Sequence, residues 1–222
     1  MSQPVLASVE VATGPNPMAS VIWLHGLGAD GHDFEPAVPQ LARAQGRAVR
    51  FVFPHAPVRP VTLNGGMPMR AWYDILQLNR RAAEDEAGVR SSDAAVRTLI
   101  RRENERGVPS EQIVLAGFSQ GGAMALYSGT RMPEKLAGMI GLSCYMPIAE
   151  AFSTERHAAN HGTPIFLAHG SLDPVIEPQL GETSRALLVA AGYAVEWHSY
   201  PMGHSVCPEE LAAIAAFLQR VL

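Results

Sequence analysis

The chain has little cysteine and no long hydrophobic run. Only Cys144 and Cys207 occur among its 222 residues, which excludes a small disulfide-rich scaffold. The start of the sequence shows no secretory signal pattern, so we expect the reducing cytoplasm. The longest apolar run, residues 211–218, is far shorter than the roughly 20 residues that span a bilayer, and we expect no stable insertion into a membrane.

Blocks of basic residues are also missing. The 17 Lys and Arg residues are spread along the chain and are outnumbered by 21 Asp and Glu residues, for a formal net charge of −4. Nucleic-acid-binding proteins concentrate positive charge on one face, so nothing in this composition argues for nucleic acid and we expect no partner of that class. Sixteen of the 17 basic residues are arginine and one is Lys135, a bias from which no function follows.

What the chain does contain is an alternation of strand and helix patterns. Its length suits one larger α/β domain, and we predict a single domain over residues 1–222. Residues 5–11 and 20–24 predict an antiparallel hairpin at one sheet edge. From residue 49 onward, repeated βα units predict a mostly parallel sheet with helices on both faces. The other predicted strands are residues 49–53, 112–116, 137–143, 164–168 and 193–200, and helices are predicted over residues 33–44, 85–106, 123–127 and beyond, 176–191 and 208–221.

The stretch Gly117-Phe118-Ser119-Gln120-Gly121 is the centre of the functional prediction. It follows a buried strand pattern and precedes good helix formers, which is the setting of a nucleophile elbow. Glycines flank the serine because a strained turn leaves room there only for hydrogen. The turn raises the serine hydroxyl above the sheet, next to a helix N-terminus. The alternative interpretation is a glycine-rich turn with Ser119 as an ordinary helix N-cap.

A serine nucleophile requires an imidazole base and a carboxylate that orients the imidazole. In a sheet of this topology the chain order is serine, carboxylate, histidine, each on a loop after a strand. Asp173 is the only aspartate after Ser119 and follows the predicted strand 164–168, so we assign it as the orienting acid. Glu177 is the competing carboxylate, but it falls at the start of the next predicted helix.

Five histidines follow Ser119, and one of them is placed for catalysis. His204 lies past the end of the last predicted strand, in a Pro-Met-Gly-His turn that can return the imidazole towards Ser119. We therefore assign His204 as general base and acid, with a solvated loop histidine as the alternative. The other four are His157 and His161 in an irregular segment, His169 before the Asp173 turn, and His198 inside the last predicted strand.

The tetrahedral intermediate of acyl transfer needs amide donors for its oxyanion. One is expected from the residue after the nucleophile, which is Gln120, and another from the loop after an earlier strand. The glycine-rich loop His25-Gly26-Leu27-Gly28 follows the predicted strand 20–24, so we assign Leu27 as the second donor. A tight strand-to-helix turn without catalytic function is the alternative.

A long Pro/Gly-rich passage at residues 54–80 carries many apolar side chains. A connection of this length is typically functional or disordered, and its apolar content indicates a flap or pocket wall. Its bulky members Met67, Met69, Trp72 and Tyr73 could equally pack in the core.

A metal site is a weak alternative. His25, His32 and Asp33 could lie near one another at a helix start, but they lack the HExxH or CxxC spacing of a metal centre. We therefore predict neither a metal nor a cofactor.

Five sequence motifs then occur in a fixed order. They are His25-Gly26-Leu27-Gly28-Ala29-Asp30-Gly31, Arg70-Ala71-Trp72-Tyr73-Asp74-Ile75, Gly117-Phe118-Ser119-Gln120-Gly121-Gly122, His169-Gly170-Ser171-Leu172-Asp173-Pro174-Val175 and Tyr200-Pro201-Met202-Gly203-His204. In this combination the chain resembles the phospholipase/carboxylesterase family, which includes bacterial carboxylesterases and eukaryotic acyl-protein thioesterases. The resemblance extends from about residue 20 to residue 222, nearly the whole chain.

The resemblance implies an α/β-hydrolase fold without a large cap domain. It implies the same nucleophile, acid and base, Ser119, Asp173 and His204, and the same oxyanion donors, Leu27 and Gln120. Within the segment of residues 76–83, the stretch Gln77-Leu78-Asn79-Arg80-Arg81 matches no motif of the family, so the resemblance does not fix the acyl-chain preference. The family also implies an acyl groove bordered by the loop through Leu63 and Trp72, and the full set of substrate-binding residues that we predict is Leu63, Trp72, Phe118, Met146 and Val175.

The predicted function is a cofactor-independent serine hydrolase that cleaves short- to medium-chain carboxylic esters through an acyl-serine intermediate. An acyl-protein thioesterase or lysophospholipase with the same triad is the first alternative. A non-catalytic binding protein on a hydrolase scaffold is the second, and a peptidase is weaker because no charged specificity pocket is evident. The predicted partner is a small-molecule acyl ester, and the apolar flap could also pair two subunits in a homodimer.

Overall fold

The computed structural model describes residues 5–43, 46–76 and 84–222. The described strands are β1 (Ser8–Ala12), β2 (Ala19–Leu24), β3 (Val49–Pro54), β4 (Val58–Val61), β5 (Met67–Arg70), β6 (Ile113–Phe118), β7 (Gly138–Leu142), β8 (Ile165–Gly170) and β9 (Val195–Tyr200). The described α-helices are α1 (Val38–Leu41), α2 (Glu86–Glu105), α3 (Gln120–Arg131), α4 (Phe152–Glu155), α5 (Pro178–Ala190) and α6 (Pro208–Val221).

A seven-stranded sheet forms the centre of the molecule, in the order β1-β3-β2-β6-β7-β8-β9. All neighbouring strands in it are parallel except β1 and β3. The mostly parallel sheet predicted from the βα alternation is therefore confirmed. In such a sheet the loops at the carboxyl ends of the strands lie along one edge, where binding sites form.

Helices cover both faces of the sheet. Side chains of α2, α3 and α5 pack in one buried cluster, and those of α1 and α6 pack in another. Strand β2 shows how the sheet separates the clusters, because Ile22 belongs to the first and the next residue, Trp23, to the second. No helix in the described part of the chain is both long and apolar enough to cross a membrane.

The predicted N-terminal hairpin is wrong. Strand β1 is antiparallel and lies at the sheet edge, as expected, but it pairs with β3, which lies between β1 and β2. Strand β2 is buried along its whole length and pairs in parallel with β3 and β6. An apolar run covered on both faces is typical of an interior parallel strand, and the sequence of β2 carries that pattern.

The helix predicted over residues 33–44 is much shorter. A 3₁₀ turn occupies Glu35–Ala37, and α1 occupies only Val38–Leu41. Pro36 and Pro39 stand in the first turns of these two elements, and because proline lacks an amide hydrogen and clashes with a preceding helical turn, one continuous helix cannot run through both. Residue 44, the predicted end, lies outside the described residues.

The Pro/Gly-rich passage contains a two-stranded hairpin that the sequence analysis did not predict. Strands β4 and β5 pair antiparallel, with Pro60 opposite Pro68. Each strand of a two-stranded sheet has one open side, and proline, which lacks an amide hydrogen, is tolerated in such edge strands. The segment at residues 77–83, which includes the stretch that matches no family motif, lies outside the described residues.

The remaining predicted elements are confirmed within a few residues. The last helix occupies Pro208–Val221, as predicted at both ends. Both cysteines are present as thiols, Cys144 buried and Cys207 half-buried.

Candidate active site

Ser119 lies in a strained turn between β6 and α3. Its backbone has φ 54° and ψ −120°, a conformation that residues other than glycine rarely adopt. A Cβ on Gly117 would lie 2.3 Å from the backbone of Gly121, and one on Gly121 would lie 2.1 Å from the carbonyl oxygen of Leu24. The glycines are therefore required by close packing of the backbone, which is the steric reason expected for a nucleophile elbow.

His204 connects Ser119 to Asp173. Its Nε2 lies 2.9 Å from the hydroxyl oxygen of Ser119, and its Nδ1 lies 2.7 Å from a carboxylate oxygen of Asp173. The carboxylate can only accept, so Nδ1–H donates a hydrogen bond to it, and these partners assign the tautomer in which Nε2 accepts from the serine hydroxyl. This arrangement allows the imidazole to take the hydroxyl proton while the carboxylate stabilises the resulting cation.

The carboxylate of Asp173 is held in place from its other side. One oxygen accepts from the backbone amides of Val175 and Ile176, at 2.8 and 3.0 Å, and the second oxygen faces His204. Asp173 is buried, so these three bonds define one orientation of its carboxylate. The loop after β8 thus presents the acid in the orientation that the imidazole needs.

The loop that carries Leu27 lies against Ser119. A Cβ placed on Gly26 would lie 3.5 Å from the Cβ of Ser119, so the backbone approaches the nucleophile closely. The next amide after Leu27, that of Gly28, donates to the carbonyl of Arg70 at 2.9 Å and anchors the loop to the end of β5. The amide of Gln120 is the first of α3, where helix amides have no intrahelical acceptor. Leu27 and Gln120 line one cavity with Ser119, and their role as oxyanion donors stays a prediction.

His25 fixes the conformation of the same loop. Its Nδ1 donates to the carbonyl of Gly26 at 2.7 Å, and its Nε2 accepts from the amide of Ala56 at 3.0 Å. Burial lowers the pKa of His25, which outweighs the opposite effect of the Gly26 carbonyl. The neutral ring therefore supports the loop structurally.

Trp72 supports the loop from a second direction. Its indole nitrogen donates to the carbonyl of His25 at 2.9 Å, and its ring is fully buried. Its backbone carbonyl accepts from the hydroxyl of Ser92, on α2. The prediction that Trp72 lines the acyl groove therefore fails, because its polar atom is directed to the backbone that precedes Leu27.

A cavity of about 290 Å³ opens beside Ser119. Of the predicted substrate-binding residues, Leu63, Phe118 and Val175 line it, whereas Trp72 and Met146 do not. Met146 is instead packed in the core cluster that faces α2 and α3, and its amide donates to the hydroxyl of Ser184. The sequence alone can place an apolar residue near a strand end, but it does not show whether the side chain packs into the core or faces the cavity.

Four further bulky residues line the cavity; two of them, Tyr73 and Ile75, belong to the passage that was expected to form a pocket wall, and two were not predicted. Tyr73 and Ile75 come from the segment after β5, Tyr145 from the loop after β7, and Ile176 from the loop after β8. The hydroxyls of Tyr73 and Tyr145 are 2.6 Å apart and join two of these segments across the cavity. The signal available for Tyr145 was its place just past a predicted strand, at the same sheet edge as Ser119.

The competing candidates lie outside this arrangement. Glu177 is exposed at the start of α5, and the metal alternative is unsupported, since His25 is buried while His32 is exposed and bonded to Glu35. Residues 5–43, 46–76 and 84–222 contain no group of three or more side chains able to hold a metal ion. His169 is closest to the site: its Nε2 lies 2.8 Å from the carbonyl of Ile176 and 3.5 Å from the carboxylate of Asp173. The other histidines after Ser119 contact local partners, His157 the Ala159 amide, His161 Arg156 and His198 Glu196.

Comparison with known proteins finds a matching family model and relatives that share one name. A family model described as phospholipase/carboxylesterase matches residues 7–222. A protein of Neurospora crassa named acyl-protein thioesterase 1 is 47% identical over 209 residues, which is 90% of this chain and 85% of that protein. A protein of the same name from Gibberella zeae is 41% identical over 213 residues, with 92% and 91% covered.

A solved structure extends the comparison to three dimensions. The crystal structure of Zea mays acyl-protein thioesterase 2 superposes with a TM-score of 0.82 at 30% sequence identity. The superposition covers 97% of this chain and 99% of that one. The similarity therefore extends over nearly the whole length of both chains.

Proposed function

The chain belongs to the phospholipase/carboxylesterase family of α/β-hydrolases, and on that premise we propose that it hydrolyses the thioester between a fatty acyl group and a protein cysteine. That it is a serine hydrolase acting on ester bonds follows from the family. The finer assignment is supported by the relatives that are 47% and 41% identical and are named acyl-protein thioesterase 1. The observation that carries the chemistry is the hydrogen-bonded series from Ser119 through His204 to Asp173.

The first half of the reaction forms an acyl-serine. The hydroxyl oxygen of Ser119 attacks the thioester carbonyl while Nε2 of His204 takes its proton. The carbon–sulfur bond then breaks, and the imidazolium gives its proton to the departing cysteine sulfur. Asp173 stabilises the imidazolium throughout without itself taking the proton.

The second half regenerates the enzyme. Water replaces the thiol, His204 removes one of its protons, and the resulting hydroxide attacks the acyl-serine carbonyl. The intermediate collapses, the fatty acid leaves, and Ser119 recovers its proton from His204. In both halves the amides of Leu27 and Gln120 would donate to the oxyanion, and losing one such donor costs about 10²–10³ in kcat.

Hydrolysis of simple carboxylic esters, the leading prediction from the sequence, is the second candidate. The relatives favour the thioesterase interpretation over it. The cavity of about 290 Å³ lies just below the roughly 300–1,000 Å³ typical of ligand sites, which suits the short or medium acyl chain expected of this second candidate. The triad itself serves both reactions, because it attacks the same carbonyl carbon in each.

A matched pair of substrates separates the two candidates. We would measure kcat/KM for a peptide octanoylated on cysteine sulfur and for the same peptide with an octanoylated serine. The thioesterase proposal predicts that the ratio of the two values exceeds the ratio of their uncatalysed hydrolysis rates. A ratio equal to or below the uncatalysed one would instead identify a carboxylesterase.

The same assay tests the nucleophile. Ser119→Ala should lower hydrolysis of both peptides by about 10⁴-fold or more, because the attacking oxygen is gone. The matched control is Ser153→Ala, which changes an exposed serine on α4 and should keep wild-type rates. Equal rates for Ser119→Ala and wild type would refute the mechanism for either substrate.

A further inference from the structure

A second groove adjoins the cavity beside Ser119. It has a volume of about 500 Å³ and shares Asp33, Phe118 and His204 with that cavity. We call it the outer groove. Its own walls come from the β2–α1 connection, α1, the β9–α6 connection and the start of α6, and include Phe34, Ala37, Gln40, Ser205, Val206 and Leu211.

The position of His204 indicates which part of a substrate the outer groove can hold. The cavity contains Ser119, Leu27 and Gln120, so the acyl carbonyl and its chain belong there. The leaving group must stay within reach of Nε2 of His204, because that nitrogen protonates it. The outer groove is lined by His204 but by none of the three residues that would surround the carbonyl. It therefore lies on the side of His204 where the leaving group departs.

The walls of the outer groove are suited to a polypeptide. Phe34, Val206 and Leu211 supply apolar surface, whereas Gln40 and Ser205 supply polar groups. The side chain of Gln40 is fixed beside the groove, because its Nε2 donates to the carbonyl of Pro208 at 3.0 Å. A mixture of apolar surface and fixed polar groups matches the side chains and backbone of an extended peptide.

Asp33 gives the outer groove a charge preference. Its carboxylate makes no hydrogen bond or ion pair with any residue of the described ranges, and it stands at the boundary between groove and cavity. Although Asp33 is exposed, partial desolvation raises its pKa, and the nearby Asp30 raises it further. No Lys or Arg is among the described residues that line the groove. A cationic group placed there would offset both causes of the raised pKa.

We propose that the outer groove receives the polypeptide that carries the acylated cysteine, and that Asp33 selects peptides with Lys or Arg beside that cysteine. The inference rests on the proposed thioesterase activity and adds to it a preference for the protein substrate. Asp33 acts here as a specificity-determining residue, since it contacts the leaving group and takes no part in the bond changes.

Two peptides test the charge preference. Both carry an S-octanoyl cysteine and differ only in its neighbours, which are lysines in one and glutamines in the other. We expect wild type to favour the lysine peptide by about fivefold in kcat/KM, the size of a partly solvated ion pair. The preference should weaken as salt is added, because the pair is screened.

Two amide variants locate the source of the preference. Asp33→Asn should bring the ratio for the two peptides close to one. The matched control is Glu111→Gln, an exposed carboxylate that precedes β6 at the opposite edge of the sheet from Ser119, and it should keep the wild-type ratio. If wild type shows no preference, or if Asp33→Asn keeps it, the inference is wrong.

A third variant tests the shape of the groove. Ala37→Leu should narrow the outer groove, so hydrolysis of both peptides should fall several-fold relative to S-octanoyl-N-acetylcysteamine, whose leaving group is much smaller. Labelling of Ser119 by a small fluorophosphonate reports whether the variant is folded. An unchanged ratio of peptide to small thioester in the folded variant would contradict a peptide in the groove.

The outcomes separate this inference from the proposed function. If wild type hydrolyses both peptides equally well, the thioesterase assignment stands and the groove inference fails. If wild type hydrolyses neither peptide, the proposed function fails first. If Asp33→Asn lowers hydrolysis of lysophosphatidylcholine while the ratio for the two peptides stays at its wild-type value, the groove holds a lipid headgroup and the peptide inference is wrong.

Discussion

The side chain and the backbone of Gln120 face different groups at the active site. Its amide is the first of α3 and a predicted oxyanion donor. Its side-chain oxygen accepts from the amide of Trp72 at 2.8 Å, and its side-chain nitrogen donates to the carbonyl of Tyr73 at 2.7 Å. The residue after the nucleophile is thereby tied to the segment that forms the cavity wall. A shift of that wall would be transmitted to this predicted oxyanion donor.

Replacing the side chain tests this connection. Gln120→Leu removes both hydrogen bonds and leaves the buried amide of Trp72 without its acceptor, so the free energy of unfolding should fall by about 2 kcal/mol. We also expect kcat to fall more than KM rises, because the oxyanion donor is displaced. Urea denaturation and steady-state kinetics measure the two effects.

The control for this substitution is Gln179→Leu, which makes the same change at an exposed position of α5. It should leave both stability and kcat near wild type. If Gln120→Leu loses stability but keeps wild-type kcat, the side chain supports the fold alone and does not position the donor.

At this scale the sequence predicted residues whose chemistry has a fixed spacing or order. Ser119 has flanking glycines, and Asp173 and His204 follow it in the order that the mechanism requires. The sequence did not predict which apolar residues face substrate. Trp72 and Met146 are as apolar as Leu63 and Val175, but their side chains point into the core, and only the path of the backbone decides this.

Helix α6 begins with a buried carboxylate. Glu210 is the third helical residue, where a glutamate can reach back to the amide of the N-cap, here Cys207. Its side chain is fully buried, yet neither carboxylate oxygen has a well-formed hydrogen bond to a described residue. Burial raises the pKa of Glu210 to about 7, and the Cys207 amide offsets only part of this effect.

The raised pKa predicts a pH dependence of stability. Between the ordinary value of 4.5 and about 7, the folded state binds more protons at Glu210 than the unfolded state does. The contribution of this residue to the free energy of unfolding therefore falls as pH rises through that window. The Glu210→Gln variant cannot ionise at this position. Near pH 8 its free energy of unfolding should therefore exceed that of wild type by about 3 kcal/mol.

Urea denaturation across that window, from below pH 5 to about pH 8, measures the difference between variant and wild type. The neighbouring exposed residue provides the control, because Glu209→Gln should follow the wild-type curve. Parallel curves for wild type and Glu210→Gln would mean that the buried carboxylate titrates normally.

Local sequence patterns predicted where the helices and strands lie better than they predicted which strands pair with each other. The periodicity of α2 and α6 is strong, and both helices were placed within a residue or so. The pairing of β1 with β3 joins residues about 40 positions apart in sequence, from Ser8 with Pro54 to Ala12 with Arg50, which no local pattern encodes. The β4–β5 hairpin was missed for the opposite reason, since its prolines indicate turns but are tolerated at sheet edges.

At the scale of the whole molecule, the central sheet brings together three loops that are distant in sequence. Ser119 and His204 are 85 residues apart in sequence, and Asp173 and His204 are 31 apart. Backbone bonds continue the sheet ladder beyond the strand ends: the Ser119 amide donates to Leu142, the Ser143 amide to Ala168 and the Ser171 amide to Tyr200. Each loop is thus fixed to the next before a substrate arrives, and such preorganisation lowers the cost of reaching the transition state.

Trapping of the acyl-enzyme tests the account most directly, because it requires the nucleophile, base and acid to act together. Wild type would be mixed with a peptide octanoylated on cysteine, quenched in acid within milliseconds to seconds, and digested for mass mapping. We predict one octanoyl group on the peptide that contains Ser119, and slow or absent acylation in His204→Ala. An octanoyl group on Cys144 or Cys207, or turnover with no acylated Ser119 at any time, would contradict the account.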